Sequence, residues 1–121
     1  MTNTKLKISR MDLPVVCDLS VFTSEERKQH ENESMELFRN AKRVIELPDG
    51  FAFHHDYSEA LFMKTAHWMT NENKCCPFYT FELVIEPFAS GREMVVRLRG
   101  NDQIKVGLKT GLEKLGIQLR D

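Results

Sequence analysis

The chain has 121 residues, enough for one domain and too few for two. Hydrophobic residues make up 41% of it and charged residues 29%, a balance that excludes wholesale disorder. Seventeen basic against eighteen acidic side chains leave a formal net charge of −1, without the basic footprint of a nucleic-acid or anionic-membrane binder.

Residues 1–13 are polar, lack the apolar core of a secretion signal, and read as a mobile N-terminus ahead of a single domain spanning 14–121. Pro14-Val15-Val16-Cys17-Asp18-Leu19 is apolar enough for a buried extended segment. Thr23, with Glu26 three positions on, has the spacing of a helix-capping box. The helix it opens should run from Ser24 to Ala41. Its first half carries no apolar residue, while Leu37, Phe38 and Ala41 share one face with Ser34 and His30. A polar half-helix is marginal alone in water, so a partner subunit, most simply in a homodimer, is the expected source of contacts.

Arg43–Leu47 and Phe51–His55 flank Pro48-Asp49-Gly50, a hairpin signal in which Gly50 is expected to supply a positive φ. A helix over Ser58–Asn73 follows, its stripe formed by Leu61, Phe62, Thr65, Ala66, Trp68 and Met69. Phe81, Leu83 and Ile85 alternate with Thr80, Glu82 and Glu86, and then Met94, Val96 and Leu98 with Val95, Arg97 and Arg99, giving each strand one apolar and one mostly charged face. Placing Glu82 opposite Arg97 sets Leu83 against Val96 and Phe81 against Leu98, so that one face is buried and the other wetter. The last helix begins at Asn101 or Asp102 and stops at Gly116. Close approach to the sheet is the expected compensation for Gly107 and Gly111 within it. The fold is therefore α+β: an N-terminal helix and two ββα units sharing a four-stranded antiparallel sheet, with helices on one face.

The chemistry-bearing residues are few. Three cysteines without an export signal are expected as free thiols in a reducing cytoplasm. Cys75 and Cys76 are adjacent, immediately before Pro77, at a helix C-terminus whose dipole disfavours a thiolate, an effect that Lys74 could partly offset. Adjacent cysteines do not form the claw of a C-x-x-C zinc knuckle, but soft thiophilic ions accept two or three thiolates, with Cys17 as a third. Packing, metal or metalloid binding, and a redox role all stay open. His54 and His55 face opposite sides of their strand; His55 shares parity with Phe51 and Phe53 and is a candidate additional ligand, although a satisfied histidine is the ordinary case. His67 falls on an exposed helix face. No nucleophile elbow, P-loop, dinucleotide fingerprint or H-E-x-x-H occurs.

The segments Val16–Ser20, Leu47–Phe53 and Glu72–Leu83 resemble a group of small uncharacterised bacterial proteins. These pair an early C-x-L-S segment with a later E-x-x-CCPF-x-x-F-x-L motif and are loosely associated with heavy-metal resistance. The resemblance implies that Cys17, Cys75 and Cys76 form one motif set. The leading expectation is a small cytoplasmic protein that binds a soft metal ion or metalloid, such as zinc or mercury, through these thiols, and not nucleic acid or a membrane. The alternative is a non-catalytic interaction or oligomerisation module with structural cysteines. A thiol-dependent enzyme comes third, because the sequence reveals no general base beside the cysteines and no catalytic residue can be named.

Overall fold

A computed structural model describes residues 17–117 and Leu119; the expected mobile N-terminus over 1–13 and residues 14–16 of the apolar segment lie outside them. A 3-10 turn, Leu19–Val21, leads to α1 (Ser24–Arg39), β1 (Arg43–Leu47), β2 (Gly50–Asp56), α2 (Glu59–Cys75), β3 (Thr80–Phe88), β4 (Gly91–Arg99) and α3 (Asp102–Lys114). The strands form one antiparallel sheet in the order β1-β2-β4-β3, so the second strand of each hairpin meets the other at the centre. This is the expected α+β architecture with two ββα units. No helix among the described residues is long and apolar enough to cross a membrane.

Local chemistry sets the boundaries. Thr23 and Glu26 close the expected capping box on α1, and Ser58 and Asn101 cap α2 and α3 by accepting from Leu61 N and Ile104 N. Helix α2 runs on to Cys75, two residues past the expected end, because nothing breaks it before Pro77. Gly116 stops α3 with φ 76°.

The β3–β4 register pairs Glu82 with Arg97, Leu83 with Val96 and Phe81 with Leu98, as expected. Met94, Val96 and Leu98 are fully buried and pack with Phe51, Phe53, Leu37, Trp68 and Leu112. Phe81 and Leu83 are only half-buried, and Ile85 is exposed. Strand β3 is the sheet's edge, and the apolar layer centres on β2 and β4. The opposite face departs from a simple wet surface: Ala52, His54, Glu93 and Val95 are all buried there. Burial raises the Glu93 pKa, but hydrogen bonds from His54, Arg43 and Lys42 outweigh it and hold the carboxyl below its usual range.

Two glycine expectations need correction. Gly50 is not a positive-φ turn residue; it begins β2, and a Cβ there would overlap the Leu98 carbonyl of the neighbouring strand. Gly107 and Gly111 approach nothing, since a Cβ at either would meet no atom within 4 Å. Each therefore costs helix stability without return. Gly107→Ala and Gly111→Ala should each raise stability by up to about 1 kcal/mol, read as a higher urea midpoint at unchanged m-value.

Candidate functional site

The site forms where the end of α2, the middle of α1 and the Cys17–Leu19 segment meet. Cys17 and Asp18 are exposed and Leu19 half-buried, so the described part of the expected buried extended segment is not buried. It is fixed by its backbone: Asp18 N donates to the Cys75 carbonyl over 2.7 Å. Asp18 in turn accepts from Ser20 N and caps the following turn.

This docking joins Cys17 to Cys76 in a disulfide, with Cα atoms 4.6 Å apart. The expectation of three free thiols is thereby corrected. Distance along the chain concealed the pairing, which spans 59 residues. Cys75 alone is a free thiol, and it is buried. Its Sγ lies 3.5 Å from Cys76 Sγ, so the three sulfurs named from the sequence do come together.

Two further side chains complete the cluster. Glu72 is one helical turn before Cys75, and its Oε1 lies 3.8 Å from Cys75 Sγ. His30 reaches across from α1, with Nε2 4.0 Å from Cys75 Sγ and 2.7 Å from Glu72 Oε1. The ligand atoms of His30, Glu72 and Cys75 all lie within 4.8 Å of one another. The imidazole is held by packing between Phe22 and Trp68, with ring centroids at 5.1 and 6.1 Å. The Trp68 indole N–H donates to Ser34 Oγ, which donates to the His30 carbonyl. His30 Nε2 donates to the Glu72 carboxylate, and Nδ1 has no partner among the described residues. His55, the other candidate ligand, is not in this cluster; it lines a separate cavity against Thr65 and Trp68.

His30 and Glu72 were missed as site residues, although both left a signal. Glu72 and Cys75 share a helix face at i, i+3, and His30 is the one polar side chain buried on the otherwise solvated half of α1. Lys74 offers no counter-charge, since it is exposed and directed to Asn71.

The electrostatics follow from burial and sign. Burial, then the Glu72 carboxylate, push the Cys75 thiol up to about 11. The thiol is thus protonated at neutral pH and is a poor free nucleophile. A shallow depression of about 560 Å³ opens over the cluster, lined by Cys17, Cys76 and Glu31 among others, and among the described residues no lysine or arginine lines it. The sulfurs are soft donors and the Glu72 carboxylate a hard anionic one.

One stability consequence has a definite sign. An unfolded thiol ionises near about 8.5, so the folded state holds the Cys75 proton more tightly between that value and about 11. This contribution is complete below the unfolded pKa and is lost as pH rises through the folded one. Urea melts should show falling stability over this alkaline range, with a shallower fall in Cys75→Ala. Tyr79, whose hydroxyl burial also pushes up, accounts for a remainder at higher pH.

Comparisons with protein-family models, with curated proteins and with solved structures returned no match.

Proposed function

We propose that the reduced chain binds a soft divalent cation through Cys17, Cys75 and Cys76, assisted by His30 Nε2 and the Glu72 carboxylate. The observation that carries this reading is the convergence of three sulfurs, an imidazole and a carboxylate at one depression. Thiolate and imidazole donors suit zinc and the softer thiophilic ions. A dithiol reductant supplies two electrons and two protons to convert the Cys17–Cys76 disulfide into two thiols. Each thiol then loses its proton on binding, so affinity rises with pH. The disulfide form withholds two of the three sulfurs, which makes binding redox-gated. A cytoplasmic setting belongs to the same proposal, because reducing compartments keep such thiols open.

Zinc competition against a chromophoric chelator, under anaerobic conditions, tests the reading. One equivalent should bind to the reduced protein. The oxidised protein and Cys75→Ser should bind at least about 10–100-fold more weakly, the loss that even outer-shell changes cause. Equal binding by all three forms would leave the cysteines as packing and a staple, the interaction-module alternative.

The 3.5 Å approach of Cys75 Sγ to Cys76 Sγ supports a second reading, internal thiol–disulfide exchange. Cys75, after giving its proton to water, would attack Cys76 Sγ; the Cys17–Cys76 bond breaks, a Cys75–Cys76 bond forms, and Cys17 leaves as a thiolate that takes up a proton. The raised pKa of Cys75 weighs against it at neutral pH, so a thiol-dependent enzyme ranks behind the metal protein. Homodimerisation also remains a proposal. Its argument was the unanchored first half of α1, and His30 now provides an anchor within the chain.

A further inference from the structure

A second cavity, of about 280 Å³, lies between α1, α2 and β2. Leu37, Leu61 and Trp68 give it an apolar wall, and two more of its lining residues, His55 and Thr65, each carry a buried polar atom without a partner among the described residues. His55 Nε2 and Thr65 Oγ1 are both buried and both without a hydrogen bond, in residues only 4% and 2% exposed. A buried polar group left unpaired costs roughly 1–3 kcal/mol, so two beside one cavity call for a partner.

The chemistry of these atoms defines what would fit. Burial lowers the His55 pKa, against the opposing hydrogen bond to the Leu37 backbone, so the ring is neutral at neutral pH. With the Leu37 backbone as the ring's hydrogen-bond acceptor and Nε2 without a partner, the proton is assigned to Nδ1 and Nε2 is the nitrogen that takes a donor. Thr65 Oγ1 can accept or donate. At the mouth Lys64 pairs with Glu36 and Lys42 with Asp56, over 2.6 and 2.8 Å, so those charges satisfy each other and do not call for an ionic ligand. The volume exceeds the roughly 150 Å³ of a cavity that admits benzene.

We propose that this cavity binds a small neutral molecule with one ring or a short apolar body and a hydroxyl or N–H group, held by His55 Nε2 and Thr65 Oγ1. The body lies against Leu37, Leu61 and Trp68, and the donor is directed to the imidazole. The site is separate from the thiol cluster: His55 and Thr65 contribute nothing to the sulfurs, and the cysteines do not line this cavity.

Phenol is a suitable probe, with toluene as the same ring lacking the donor. Trp68 is the chain's single tryptophan, so its indole N–H gives one resolved signal in a two-dimensional NMR spectrum, and the His55 ring nitrogens can be followed by long-range ¹H–¹⁵N correlation. Phenol should shift the Trp68 and His55 Nε2 signals saturably and bind about tenfold more tightly than toluene, the value of one buried hydrogen bond. His55→Phe keeps a ring in place and should abolish that preference; Thr65→Val should weaken phenol binding while preserving the fold. Equal affinity for phenol and toluene, or no saturable shift with phenol at millimolar concentration, would overturn the proposal and leave the two polar atoms to ordered water. Neither outcome depends on the redox state of the cysteines, so the metal reading is tested independently.

Discussion

Val96→Asp is expected to unfold the domain. Val96 is fully buried at the centre of the sheet, between Phe53 on β2 and Leu83 on β3. Aspartate there either buries a charge without a partner or forces the helical layer off the sheet, and each costs several kcal/mol. A domain of this size has only about 5–15 kcal/mol in hand. The adjacent residue provides the contrast. Arg97 lies on the other face, 3.7 Å from Glu82 and 3.4 Å from Glu86, and partly exposed pairs of this kind contribute about 0.2–1 kcal/mol. Arg97→Ala should therefore leave the denaturant midpoint nearly unchanged. Reversal of the two outcomes would mean that the faces of the sheet are assigned the wrong way round.

Gly50→Ala should be the most damaging single-methyl change in the chain. The added Cβ would overlap the Leu98 carbonyl and crowd the Arg99 backbone, so relief requires β2 to part from β4 rather than a side chain to rotate. Overpacking typically costs about 1–3 kcal/mol, and a collision with backbone belongs at or above that range. The loss should appear as a lower thermal midpoint and as faster hydrogen exchange at the β2–β4 amides, with β3–β4 less affected. An unchanged midpoint would show that the seam has slack the structure does not contain. The same substitution at Gly107 or Gly111 should act in the opposite direction, so space, and not glycine as such, decides the sign.

The sheet was legible because its information is periodic. Phe81, Leu83, Met94, Val96 and Leu98 fall on one parity of their strands, opposite Glu82, Arg97 and Arg99, and a slip of one residue would expose whole rows, so register followed from burial. The capping box at Thr23 was legible for a related reason, since its partners are three residues apart. Ile85 escaped that logic because parity gives the face of a strand and not how far the helices extend over it. Gly50 escaped because its collision partner lies on another strand, and strand order cannot be read from local pattern.

The site was legible in its sulfurs and obscure in the rest. The unusual Cys75-Cys76-Pro77 run drew attention to itself, but the distance between Cys17 and Cys76 and the position of His30 depend on how α1 crosses α2. Glu72 looks like any surface glutamate of a helix until His30 arrives against it. The buried centre of the second face was equally hidden, because Glu93 reads as a solvated strand residue until Arg43 and His54 converge on it from β1 and β2.

The strand order has a consequence for how the chain assembles. Each hairpin closes over a short turn, so β1–β2 and β3–β4 can pair early and independently. The central seam joins Gly50 to Arg99 and Asp56 to Glu93, and must wait until the whole of α2 and β3 has been threaded between them, at a correspondingly larger loop-closure cost. Until it closes, Phe51 and Phe53 on one half and Met94, Val96 and Leu98 on the other are without their apolar neighbours, and each half presents an unpaired inner edge. The inner strands, β2 and β4, carry the side chains that the finished fold buries completely, whereas β3 stays half-buried to exposed. A half-formed molecule is therefore most adhesive along the edge that its own second half is built to cover, and the competitor for that edge is the same half of another chain.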